Sequence, residues 1–104
     1  MTKNDLEIKP AIISDECLEM LNEAVAYLRD KALVPAQAEI MNSQFFAAIK
    51  QLEVTPWIGT PYKDGMRTVK LGKFRYNIYY RENDTDIYIV GIWHSSRGTE
   101  FEEN

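Results

Sequence analysis

One histidine, one cysteine and a set of arginines and tyrosines carry most of the chemistry open to this chain. His94 stands in Trp93-His94-Ser95-Ser96-Arg97, and an imidazole titrates close enough to neutrality to give or take a proton. Arg67, Arg75, Arg81 and Arg97 could clamp a phosphate, and Tyr79 or Tyr80 could stack on a base. A structural role competes for His94, since a histidine ending a strand also serves to hold the turn that follows, here Ser95-Ser96-Arg97. A Ser–His nucleophile is badly placed, because successive residues at a strand end point to opposite faces. Cys17 falls inside an amphipathic helical pattern, where a thiol reads as a small buried hydrophobe. One cysteine forms no internal disulfide, and one Cys with one His cannot make a zinc site. There is no Gly-rich phosphate loop. No metal and no small-molecule cofactor is implied.

The second resource is surface. The loop Pro56-Trp57-Ile58-Gly59-Thr60-Pro61-Tyr62 gathers Trp57, Ile58 and Tyr62, and Trp93 and Phe101 add aromatic area near the C-terminus. Residue type alone sends Trp57 and Trp93 to the core; the alternative is that they anchor a partner protein. Charge is sorted along the chain as well. Residues 1–55 sum to −4, residues 56–81 to +5 and residues 82–104 to −5, for a net −4. A basic middle between acidic flanks suits a surface that meets something anionic, and equally a half-exposed hairpin with Lys and Arg at alternate positions.

The elements that must position these residues follow from periodicity. Residues 5–9 alternate and predict a short strand closed by Pro10. Ser14 caps a predicted helix with Asp15 and Glu16 in its first turn and a stripe of Leu18, Leu21, Val25 and Leu28. Pro35 opens a second, with the stripe Ala38, Met41, Phe45, Ile49 and Leu52. After a loop broken by Pro56, Gly59, Pro61 and Gly65 the period becomes two. Strands are predicted over 67–71, 74–81 and 87–94, with Gly72-Lys73 as a tight turn. The last is apolar on both faces, which places it centrally, and Gly91 within it marks a bulge or a close backbone approach. The order β-α-α-β-β-β predicts an α+β fold, a helical hairpin on a mainly antiparallel sheet.

At 104 residues and 45% hydrophobic composition the chain suits a single domain, 1–104, with one core. No apolar run approaches a membrane span, and the polar start Met1-Thr2-Lys3-Asn4-Asp5 lacks a signal-peptide core. A cytoplasmic protein without membrane association is expected.

Several phrases carry a family likeness. Ile49-Lys-Gln-Leu52 followed by Pro56-Trp-Ile-Gly59 matches an Ile-x-x-Leu-x-x-x-Pro-x-x-Gly passage, and Arg67 opens the next strand. Tyr76-Asn-Ile-Tyr-Tyr-Arg81 and His94-Ser-Ser-Arg97 follow in order. Together they resemble the RelE/ParE superfamily of toxins from bacterial toxin–antitoxin pairs, over roughly residues 5–98 and closest to its ParE-like members. The resemblance implies a toxin that inhibits DNA gyrase through a protein–protein surface and is neutralised by a cognate antitoxin. Trp57, Arg67, Lys70, Arg75, Tyr79 and Arg81 are the candidates for antitoxin or target contact. The alternative is a RelE-like ribosome-dependent mRNA endonuclease, with His94, Arg67 and Arg97 as catalytic groups. The acidic ending Gly98-Thr-Glu-Phe-Glu-Glu-Asn104 opposes docking on ribosomal RNA. A second alternative is a non-toxic binding module of the same fold.

Overall fold

The computed structural model describes residues 8–103. Five strands form one sheet in the order β1-β5-β4-β3-β2. They are β1 (Ala11–Ile13), β2 (Thr60–Pro61), β3 (Arg67–Leu71), β4 (Tyr76–Glu82) and β5 (Ile87–His94). Only β1 runs parallel to its neighbour, β5; the other pairings are antiparallel. Two helices, α1 (Asp15–Ala26) and α2 (Pro35–Val54), pack as a hairpin on one face. This is the α+β arrangement that the periodicities predict, with β2 as a two-residue addition where a loop was expected.

The first strand is displaced from its expected place. Residues 5–7 lie outside the described residues, residues 8–10 carry no strand, and β1 begins after Pro10 instead of ending before it. The Pro10 carbonyl accepts from Ile87 N at 3.0 Å, so the proline stands at the entry to β1, a strand position that proline tolerates. The Ser14 hydroxyl then accepts from Cys17 N at 3.0 Å and donates to the Val90 carbonyl at 3.0 Å. One side chain thus caps α1 and ties it to β5. The five residues of the predicted α2 stripe are all buried. In α1 the buried positions are Cys17, Leu21 and Ala24: Leu21 belongs to the expected stripe, Cys17 and Ala24 each precede a stripe residue by one position, and Leu18, Val25 and, beyond the helix, Leu28 are half-buried. A π-helical turn, Tyr27–Lys31, follows α1 directly.

The β3–β4 turn also differs. It takes four residues, 72–75, with Gly72 and Arg75 both at positive φ (53° and 65°), so β4 starts at Tyr76. Arg75 is therefore a turn residue and not a strand residue. Both expectations for Gly91 hold. The β4–β5 register shifts between Tyr79 and Tyr80, a bulge beside it. A methyl group at Gly91 would also sit 2.9 Å from the Phe101 ring.

Side-chain alternation divides the sheet into two faces. Leu71, Ile78, Tyr80, Ile87, Ile89 and Ile92 meet both helices in the main core. Tyr79, Val90, Trp93 and Tyr88 point the other way and form a second cluster with Met66, Tyr62 and Phe101.

Candidate functional site

The loop between α2 and β2 is fixed from beneath. The Tyr80 hydroxyl, fully buried, donates to the Pro56 carbonyl at 2.7 Å and accepts from Gly59 N at 2.9 Å. Arg67 Nη1 donates to the Gly59 carbonyl at 2.7 Å, and Ile58 N to the Thr55 carbonyl at 3.2 Å. No side chain larger than hydrogen fits at Gly59, since a Cβ there would lie 2.5 Å from the Tyr80 oxygen. What this frame presents is apolar: Trp57 is 61% exposed and Ile58 50%. The expectation that residue type sends Trp57 to the core is corrected. Pro56 takes the buried position of the loop instead, and the tight bend it makes with Gly59 turns the indole outward. Trp93 is half-buried, its indole N–H donating to the Thr99 carbonyl at 3.0 Å.

Cations occupy three distinct settings. Arg67 is committed to the loop. Arg81 donates to Glu103 Oε1 at 2.6 Å and to the Asp64 carbonyl at 3.1 Å. Lys70, Lys73 and Arg75 form no ion pair among the described residues. Those three line an open concavity of about 390 Å³ with Tyr76, Asn77 and Ser95, on the hairpin end of the sheet. Of the residues expected to meet an antitoxin or target, Trp57, Lys70 and Arg75 are presented to solvent, Arg67 and Arg81 are engaged internally, and Tyr79 is buried. Tyr79 lies under Phe101, the rings stacked at 4.4 Å and 13°, so Phe101 adds no surface either. Lys73, not singled out by sequence, completes the open cationic group because the four-residue turn brings it beside Arg75.

The groups expected to cleave RNA are not assembled. In register, Arg67 pairs with Tyr80 and His94 with Tyr76, four residues apart along β4. At strand spacing that separation is about 13 Å. His94 instead closes its own turn: Nδ1 accepts from Ser96 N at 3.2 Å and lies 2.6 Å from the Ser96 hydroxyl. Its ring packs edge-on against Tyr76 at 4.9 Å. Arg97 lays its guanidinium over the Trp93 indole at 4.3 Å. Burial pushes the Cys17 thiol up to about 12, which removes the thiolate a nucleophile needs.

The family model for the ParE toxin of type II toxin–antitoxin systems, parDE, matches residues 11–98. The chain belongs to that family. A solved structure titled as a chromosomal ParDE toxin–antitoxin system from P. aeruginosa superposes with a TM-score of 0.71 at 17% identity. The match covers 85% of this chain and 97% of that one, and it shows a shared fold. No curated protein matches the sequence significantly. Among the described residues, no helix is long and apolar enough to cross a membrane.

Proposed function

We propose that this ParE-family chain acts through protein–protein contact as an inhibitor of DNA gyrase in the cytoplasm, with Trp57 and Ile58 as its anchor. The observation that carries the reading is the exposed indole on a loop pinned by Tyr80 and Arg67. A tryptophan held in place before binding loses little freedom on association, and such residues dominate interface energetics. Inhibition by contact also needs no assembled acid–base pair, in keeping with the separation of His94 from Arg67.

The purified protein is expected to block supercoiling of relaxed plasmid by gyrase. Trp57→Ala is expected to raise the concentration needed at least tenfold, the size of a typical hot-spot loss, while leaving the melting temperature unchanged. Unaltered supercoiling at a large excess of protein overturns the reading.

Neutralisation by an antitoxin belongs to the same reading. Lys70, Lys73 and Arg75 are open to an acidic segment and would speed its approach. Antitoxin affinity is expected to fall as salt rises from low to physiological strength, and to fall further in Lys70→Glu. An affinity indifferent to both excludes these cations from the contact.

A further inference from the structure

The segment after Arg97 leaves the hairpin end and lies back across the sheet face opposite the helical hairpin, where Met20 of α1 also packs. Three of the five ion pairs among the described residues fasten it there. Lys63 Nζ binds Glu100 at 2.9 Å and Glu102 at 2.6 Å, and Arg81 binds Glu103 at 2.6 Å. Between these clamps Phe101 is 1% exposed, stacked on Tyr79, edge-on to Trp93 and seated over Gly91. Two side chains hold the segment's backbone: the Tyr62 hydroxyl donates to the Phe101 carbonyl at 3.1 Å, and the Trp93 indole to that of Thr99. No strand ladder includes residues 98–103, so the segment can leave without unpairing the sheet. It also lies beyond the residues matched by the family model, which end at 98.

We propose that this face is a docking groove for an acidic peptide segment with one aromatic anchor, and that Thr99–Glu103 is its tethered occupant. The groove reads a short pattern. An aromatic side chain enters the seat formed by Gly91, Tyr79 and Trp93; Lys63 takes the carboxylates just before and just after it, and Arg81 takes the next. A partner segment of that pattern competes with the chain's own tail and must displace it. The tail thereby sets a threshold on binding, one that salt lowers because every clamp is a partly exposed ion pair.

The test is a seat-filling experiment on the full chain with a fluorescein-labelled peptide, Gly-Thr-Glu-Phe-Glu-Glu-Asn. Phe101→Ala empties the seat; a second variant, Glu100→Gln/Glu102→Gln/Glu103→Gln, keeps Phe101 and releases the clamps. By fluorescence anisotropy each folded variant is expected to bind the peptide about tenfold more tightly than the unmodified chain, a gain equal to the loss of a few weak ion pairs or one aromatic contact. Replacing the peptide's Phe by Ala abolishes binding, and adding Lys63→Ala to either variant removes the gain. If Phe101→Ala fails to fold, the glutamine variant carries the test. Equal affinity for variant and unmodified chain, no binding to the folded variants, or indifference to the peptide's Phe each overturns the proposal. Neither gyrase nor an antitoxin is present, so this result stands apart from that of the supercoiling assay.

Discussion

The two faces of the sheet are sealed by different physics, although the same strands supply both. On the helix side, Ile78, Ile87, Ile89 and Ile92 interlock with Leu21, Met41, Phe45 and Leu52, an aliphatic seal that rests on area removed from water. On the other side, an aromatic cluster is closed by a short segment whose grip includes three ion pairs at the surface. The first seal is close-packed and indifferent to salt. The second is a sum of small, screened contacts around one ring. The lesson is a division of labour: the helix face holds the fold, and the opposite face can exchange what covers it.

Matched truncations give the largest expected effects and can break this comparison. Phe45 is fully buried between α2 and the sheet, and Phe45→Ala should cost about 3–5 kcal/mol in denaturant unfolding. Phe101 is nearly as buried, yet Phe101→Ala should cost only about 2 kcal/mol, because the tail lifts and water enters where a closed cavity would have formed. Equal losses would mean that the tail is as integral to the fold as a helix. The next effect joins the two regions. Tyr80→Phe strips the hydroxyl that binds Gly59 N and the Pro56 carbonyl, and should cost about 2 kcal/mol by leaving buried groups unpaired. Faster amide exchange at Gly59 would show that the loop carrying Trp57 has loosened.

The sequence made the helix side legible because its rule is simple periodicity: the stripe Ala38, Met41, Phe45, Ile49 and Leu52 is buried as spaced. The loop and the second face obey rules that act between distant residues. Trp57 faces outward because Tyr80, 23 residues later by number, claims the Pro56 carbonyl and Gly59 amide that set the bend. Tyr79 is buried because Phe101 arrives from beyond the last strand, which alternation along β4 does not reveal. A clue was present in the charge blocks. The +5 of residues 56–81 and the −5 of residues 82–104 are complementary, and Lys63 and Arg81 meet Glu100, Glu102 and Glu103 across them. The sum of a block names no partner, so the same pattern also suited an external anionic ligand. His94 fits two roles by residue type, and what the structure adds is its contact with Ser96 across the turn that follows β5.

Acid supplies the smallest effect and the sharpest test of the contrast. The Lys63 ammonium holds the Glu100 carboxyl below its usual 4.5, and the Arg81 guanidinium does the same for Glu103. A carboxyl whose folded value is depressed stabilises the folded arrangement above its unfolded value, and that contribution disappears as pH falls through the lowered one. The raised values of Lys63 and Arg81 act at the opposite end, so their charge is constant through this window. Below pH 4.5 the tail should therefore loosen while the helix side, whose seal is apolar burial, stays closed. Trp93 reports the first event, through its bond to the Thr99 carbonyl and its contact with Phe101; far-UV circular dichroism of the helices reports the second. A Trp93→Phe variant identifies the emitting indole, since Trp57 is already in water. The fluorescence transition should precede the loss of helix on acidification, and 1 M salt at neutral pH should produce the same fluorescence change. Coincident transitions would place both faces in one cooperative unit and remove the tail's independence, because a cover that leaves only when the core melts cannot be exchanged for another.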